Sequence, residues 1–360
     1  MEITFLDSVL VVTYFLLLFL SIFWMLVLFS KEEESEDGDV GEPHFTAIVP
    51  AYNEAKSIEG TLMSLLNMEY PHEKTQIIVV NDGSTDATQE IVESVIAANP
   101  NRDITLINQQ NQGKGCAMNV GLEGARGEYF ACLDADSFVH ADALKKMLPL
   151  FADDKVASVC PLLKVKKPDT MIQKVQWTEY VINMFYRFLN AKLNCIHVTP
   201  GPFSVYRTAV IKDLGGYDEK TITEDLEIAI RLQKHQYKIL QTFDAIVETV
   251  SPDNWKALFK QRVRWYKGSV DNTIQYKELM FNKKYGDFGM VRMPTIIASG
   301  VIPIIVALAL FQSLGVKVWH SFLALKYVNF DIWTLLQNYT WNVNWLNWPF
   351  FKITIAATLI

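Results

Sequence analysis

The sequence predicts an α/β fold, a mostly parallel sheet with helices on both faces, held between membrane-spanning helices. Two patterns predict it. Between Phe45 and Leu162, short apolar runs alternate with stretches of helical length, as in successive βαβ units. Two long apolar runs without a charge bracket that region. The composition agrees: half of the 360 residues are hydrophobic, more than an ordinary soluble domain carries. A net charge of −7 gives a nucleic-acid partner no support.

The first apolar run, Val9–Phe29, has 21 residues, and the second, Met293–Val316, has 24. Either is long enough to cross a hydrocarbon core of about 30 Å as a helix. The first run lacks a preceding basic segment and a following small-residue cleavage pattern. Residues 1–30 therefore read as a retained anchor rather than a removed signal. Residues 31–44 follow as an acidic linker, with seven acids and one base between Lys31 and Glu42, a composition that stays solvated.

The domain itself is read over residues 45–270. Its predicted strands are Phe45–Pro50, Gln76–Asn81, Asp103–Asn108, Tyr129–Leu133 and Val156–Leu162. Helices are predicted at Glu54–Met68, Asp86–Ala98, Lys114–Ala125 and Ala141–Phe151. In such sheets ligands bind beyond the carboxyl ends of the strands. Asn53, Glu54, Asp82, Asp134 and Asp136 fall at those ends.

Residues 171–193 and 253–270 read as helices for the membrane interface, and the first fits ordinary packing equally well. Lys256–Arg292 carries nine Lys/Arg against three Asp/Glu directly before the second span. Such an excess marks the cytoplasmic side. The chain is thus expected to be an integral membrane protein with a cytoplasmic domain between its spans. The span is set at 293–316, and the tryptophan-rich residues 317–347 are expected on the far side. Asn338-Tyr339-Thr340 there matches a glycosylation acceptor, a motif short enough to arise by chance. Residues 348–360 read as the start of a further membrane segment. Cys116, Cys132, Cys160 and Cys195 have no metal-binding spacing and read as reduced thiols.

Five short motifs bear chemistry. Asp134-Ala135-Asp136 ends an apolar strand, and on a continuing strand both carboxylates would share one face. Such a pair suits Mg²⁺ or Mn²⁺, which prefer oxygen ligands, and equally suits a plain polar strand end. Asn81-Asp82-Gly83-Ser84-Thr85-Asp86 is a turn that caps the next helix and leaves Asp82 free to accept from a base or ribose. Lys114 opens a helix after Gln112-Gly113, either as a solvated lysine or beside bound phosphate. Thr223-Glu224-Asp225 precedes an amphipathic helix. It is either a cap or the place of a carboxylate able to take a proton from a sugar hydroxyl. Gln261-x-x-Arg264-Trp265 lies in the basic stretch. It is an interfacial anchor, or else a phosphate-stabilising arginine beside a flat ring on which a sugar stacks.

In this order, Asp82, Asp134-x-Asp136, Thr223-Glu224-Asp225 and Gln261-x-x-Arg264-Trp265 resemble the family 2 glycosyltransferases with the D, DxD, TED, QxxRW signature. Cellulose, chitin, hyaluronan and poly-N-acetylglucosamine synthases are among them. The resemblance covers about Phe45–Lys267, and Pro50–Glu54 and Gly201–Arg207 also look like segments of that family. It implies a GT-A fold, a UDP-sugar donor and a β-linked product. It implies donor binding by Tyr52, Glu54, Asp82, Lys114 and Asp134, and a divalent metal on Asp136. It implies Asp225 as base, with Glu224 and Arg264 beside it in the catalytic set. Gly201, Pro202, Phe203, Gln261 and Trp265 would face the acceptor.

The expected activity is inverting transfer of a hexose or N-acetylhexosamine, supported by Mg²⁺ or Mn²⁺, to a growing polysaccharide at the membrane. The sequence shows fewer spans than such synthases usually have. Transfer of a single sugar to a membrane lipid, similar to ceramide glucosyltransferase, is the alternative. A nucleotide-sugar-binding sensor without catalysis is the third reading.

Overall fold

A computed structural model describes residues 5–30, 38, 40–327, 329–331 and 333. Most of the acidic linker, the Asn338 motif, Trp341, Trp345 and residues 348–360 lie outside the described residues. The chain divides into two compact units, residues 32–293 and a unit carrying the long apolar helices.

The larger unit starts at β1 (Phe45–Ala51), all seven residues of which are buried. A strand covered on both faces has no polar side to show, so an unbroken apolar run forms it. β2 (Thr75–Asp82), β3 (Asp103–Gln109) and β4 (Tyr129–Cys132) join it through parallel pairings. The crossovers hold α2 (Ile58–Leu66), α3 (Thr88–Ala98) and α4 (Lys114–Gly124). Then come β5 (Ser137–Val139), α5 (Ala143–Met147), β6 (Val156–Val165) and α6 (Met171–Lys192). β7 (Val205–Arg207), α7 (Thr208–Asp213), α8 (Glu224–Lys234), β8 (Lys238–Thr249) and α9 (Trp255–Gln275) complete the unit.

The eight strands form one sheet in the order β3-β2-β1-β4-β7-β6-β8-β5. The sheet is mixed, with parallel pairings in the majority. β6–β8 adds a fourth parallel pairing, but β4–β7, β6–β7 and β5–β8 are antiparallel. The cause lies at Phe203, whose N–H donates to the Cys132 carbonyl at the end of β4 (2.7 Å). The chain enters β7 from the carboxyl end of the sheet and must run backwards. Side chains alternate across β1: Phe45, Ala47 and Val49 pack with Leu62 and Leu65 of α2, while Ile48 packs with Met118 and Leu122 of α4. α4 approaches so closely that a Cβ on Gly121 would sit 2.4 Å from Ile48, which excludes any larger residue there.

α6 and α9 each turn an apolar stripe outward. Met171, Val175, Trp177, Val181, Ile182 and Phe185 are exposed on α6, and Trp255, Phe259, Val263, Tyr266, Val270 and Ile274 on α9. The second unit contains α1 (Phe5–Phe29) and α10 (Met293–Tyr327). Among the described residues these are the two helices long and apolar enough to cross a membrane. α10 does not stop at Val316, where the apolar run ends, but continues for 11 residues to Tyr327 with Pro303 inside it. All four cysteines are free; Cys132, Cys160 and Cys195 are buried and Cys116 is half-buried.

Candidate active site

The loops after β1 and β2 are joined by backbone donors on short polar side chains. Asn53 N–H donates to Ser84 Oγ (3.0 Å), Glu54 N–H to Thr88 Oγ1 (2.9 Å) and Ala55 N–H to Asp86 Oδ2 (3.2 Å). Thr85 N–H returns a bond to Asn53 Oδ1 (2.8 Å). Asn53 takes a left-handed φ of 57°, which asparagine tolerates better than most residues. The exposed Tyr52 side chain and the half-buried Glu54 sit on this fixed edge. Ser57 Oγ donates to Glu54 Oε2 (2.9 Å), yet burial, with Asp134 and Asp86 nearby, still raises the Glu54 carboxyl.

Asp82, the last residue of β2, is committed to the protein. Its Oδ1 accepts from Gln109 Nε2 (2.8 Å) and Gln112 N–H (2.9 Å), and its Oδ2 from Gly113 N–H (2.9 Å). This carboxylate fixes the turn that launches α4, where Gly113 has φ 94° and Lys114 is the first helical residue. Asp82→Ala should cost about 2 kcal/mol in chemical denaturation, since three charge-assisted bonds are lost while water reaches their donors. Weaker nucleotide-sugar binding should accompany that loss.

Lys114 then reaches across the strand ends. Its Nζ lies 2.6 Å from Asp134 Oδ1 and 3.0 Å from Glu224 Oε1. Two carboxylates from distant parts of the chain thus meet on one ammonium. Burial opposes that charge, but Asp134 and Glu224 hold it well above the usual lysine range. Burial would likewise raise Glu224, and Lys114 reverses this and holds its carboxyl low. Gly201 closes the same point, since a Cβ there would lie 3.2 Å from Asp134 Oδ2 and 3.3 Å from Lys114 Nζ.

Asp134 and Asp136 do not share a strand face, because β4 ends at Cys132 and the chain turns between them. The turn leaves both carboxyl groups close together. Burial, then Asp134 and Glu54, push the Asp136 carboxyl up to about 6. Ser137 Oγ donates to its Oδ1 (3.1 Å). Asp225, in the first turn of α8, is also pushed up to about 6, by burial and then by Glu224. Its backbone carbonyl accepts from Thr199 N–H (3.2 Å) and Oγ1 (3.0 Å), which anchors it to the segment leading into Gly201. Arg264 is exposed on α9, and its charge lowers both Glu224 and Asp225.

Other expected contacts are placed differently. Phe203 is fully buried, with φ 59° and its ring 5.8 Å from that of Phe45. Pro202 is buried too. The pair therefore anchors the Gly201 backbone from beneath, and the Phe203 ring is not available to a sugar. Gln261 and Trp265 are partly exposed on α9. One side of the Trp265 ring is covered by the Arg262 guanidinium, 4.2 Å from its centroid, which is itself paired with Glu179 of α6 (2.6 Å). Gln109 and Gln112 as partners of Asp82, and Arg262 as the cover of Trp265, were not expected from the sequence. No spacing rule points to them.

Among the described residues no group of three or more His, Cys, Asp or Glu side chains is arranged to hold a metal ion by itself. The donor set still fits a hard cation. Asp136 and its neighbours offer carboxylate oxygens in excess of the single Lys114 ammonium, and Mg²⁺-type ions usually take one or two carboxylates and complete their shell with substrate phosphate.

The carboxyl edge of this sheet gathers a lysine, a DxD turn and the carboxylates of a helix start. The model of Glycosyl transferase family 2 matches residues 46–215. A poly-β-1,6-N-acetyl-D-glucosamine synthase of Staphylococcus epidermidis is 31% identical over 73% of this chain and 67% of its own length. One from Staphylococcus aureus strain COL is 31% identical over 69% of this chain, which spans 63% of that relative's length. The chain belongs to glycosyl transferase family 2. A mannosyltransferase from Pyrobaculum calidifontis, solved with GDP-Man and Mn²⁺, shares the fold with a TM-score of 0.69 and 20% identity over 98% of each chain.

Proposed function

We propose that the protein is an inverting transferase moving N-acetylglucosamine from its UDP donor to a carbohydrate acceptor, extending a β-linked polymer at the membrane. The observation that carries this reading is Asp225. It is a half-buried carboxyl pushed up to about 6, beside the Lys114–Asp134–Glu224 cluster. A base poised near the working pH is what a weakly acidic sugar hydroxyl requires. The relatives' product supplies the sugar.

In this mechanism Tyr52 and Glu54 border the nucleotide, and Asp82 holds the turn that aims Lys114. Asp134 orients that ammonium toward the diphosphate. Asp225 takes the proton of the acceptor hydroxyl as its oxygen attacks the anomeric carbon from the face opposite the diphosphate. Arg264 supplies positive charge to the departing phosphates, and Trp265 and Gln261 border the acceptor. Asp136, with donor phosphate, would hold Mg²⁺ or Mn²⁺, which supplies Lewis-acid neutralisation of the leaving group.

α1 and α10 are assigned as membrane spans. The outward stripes of α6 and α9 are assigned as surfaces lying on the bilayer, with Lys256, Lys260 and Lys267 toward its anionic headgroups. The basic stretch before α10 supports a cytoplasmic position for the catalytic unit. With two membrane-length helices among the described residues, one-sugar transfer to a lipid is the competing reading.

Membranes containing the full chain would be incubated with labelled UDP-N-acetylglucosamine, UDP-glucose, UDP-glucuronate or GDP-mannose. The first should release nucleoside diphosphate and build product of high molecular mass. EDTA should stop release, and Mn²⁺ or Mg²⁺ should restore it. A product of one sugar on lipid would favour the competing reading, and no release from any donor would refute transfer.

A further inference from the structure

The helix that bears the acceptor-side residues is clasped to the helix that bears the base. A Cβ on Gly268 of α9 would lie 2.2 Å from Thr223 Oγ1, 2.4 Å from its Cγ2 and 2.8 Å from its Cβ. Thr223 thus fills the space a side chain at 268 would occupy. One turn on, the buried Asn272 Nδ2 donates to Thr223 Oγ1 (3.0 Å) and to the Gly268 carbonyl (2.9 Å). A further turn on, Tyr276 OH donates to Glu227 Oε1. Glu227 in turn pairs with Arg231 (2.8 Å).

Positions 268, 272 and 276 repeat every four residues and so form one row along α9. They meet Thr223, the cap of α8, and Glu227 one turn into it. Thr223 itself has no capping bond from its side chain, which is spent on this contact. Its backbone carbonyl accepts from Leu226 N–H (3.2 Å) and Glu227 N–H (3.1 Å). The contact therefore falls at the turn that carries Glu224 and Asp225. Gly268 is three residues past Trp265, on the same rigid helix.

We infer that Gly268 and Asn272 are positioning residues for transfer: they lock the acceptor-side helix against Thr223 and so set where the Asp225 carboxylate meets the acceptor hydroxyl. The inference rests on the reading of Asp225 as the base. Neither residue lies in the Lys114 cluster. Displacing Thr223 should therefore damage the chemical step and spare the nucleotide site.

The test uses the full chain in membranes, with UDP-N-acetylglucosamine as donor for turnover and UDP with Mn²⁺ as the binding probe. Gly268→Ala should lower kcat at least tenfold, with UDP affinity within twofold of wild type. Adding Thr223→Gly, which removes all three clashing atoms, should restore at least half of the loss on a logarithmic scale. Asn272→Ala, which adds no atoms, should lower kcat severalfold with UDP binding unchanged, and it decides the matter if Gly268→Ala does not fold. Unchanged kcat in Asn272→Ala together with unchanged or unrescued Gly268→Ala would overturn the inference while leaving the function intact. Equal loss of kcat and UDP affinity in both variants would also overturn it, as the mark of a merely structural contact. A wild-type chain that releases no UDP overturns the function reading beneath it instead.

Discussion

Asp225→Asn is expected to reduce transfer by about 10²- to 10⁴-fold, the usual range for loss of a positioned base, while leaving UDP-sugar binding intact. The substitution keeps shape and removes the proton acceptor. It also removes a carboxylate crowded by Glu224, so the folded protein should not suffer. The wild-type pH profile provides a second check. Only the ionised carboxylate accepts a proton, and its pKa in the free protein lies at about 6. The logarithm of kcat/KM should climb with unit slope below about pH 6 and level off above it. Asp225→Glu should retain part of the activity with a displaced acid limb. Full turnover in the asparagine variant, or a profile flat through pH 6, would remove Asp225 from the chemistry.

Lys114→Met should have the next largest effect, on stability and donor binding together. The ammonium sits between Asp134 and Glu224, and its loss leaves two carboxylates facing each other without a counter-charge. Removing one member of a buried pair costs about 3–5 kcal/mol. These side chains retain up to a third of their exposure, and solvent screening brings the expected loss to about 1–3 kcal/mol. The sign with pH is fixed by the two shifts. Glu224 is lowered in the folded state, so its contribution is present above the unfolded carboxyl value and lost as pH falls. Lys114 is raised, so its contribution is present below the usual lysine value and lost only at strongly alkaline pH. The stability gap between wild type and variant should be widest near neutrality and shrink toward pH 4, as urea denaturation at several pH values would show. UDP affinity should drop in parallel. A variant as stable as wild type at pH 7 would mean that the cluster is held by something other than this charge.

The first half of the fold was legible because β1, β2 and β4 are apolar runs buried almost throughout, the pattern that cover on both faces requires, while the edge strand β3 is a short run of isoleucine and leucine between polar turns. β5 and β7, of three residues each, are too short to show any period. β8 hides for another reason. Its twelve residues begin Lys-Ile-Leu-Gln-Thr-Phe-Asp-Ala, with polar residues interrupting the alternation, and its pairing with β6 shifts register twice. Missing β5 and β7 is what hid the three antiparallel pairings. In the site, the charged residues stood out together rather than singly, since each motif also suits a strand end or a cap and only their order along the chain sets them apart. Phe203 was not legible: its left-handed backbone turns the ring into the core, and nothing about a phenylalanine after a proline announces that. Asp82 was legible as important but not in its role, because the turn donors that consume it lie some thirty residues away.

The outward stripes of α6 and α9 have a practical consequence for anyone preparing this protein. Both belong to the larger unit, so a truncated version lacking α1 and α10 would keep a dozen bare aliphatic and aromatic side chains. Apolar patches of that extent drive self-association in plain buffer. A soluble catalytic fragment will therefore need polar replacements along those two helices or a lipid-like additive, and shortening the chain alone will not yield one.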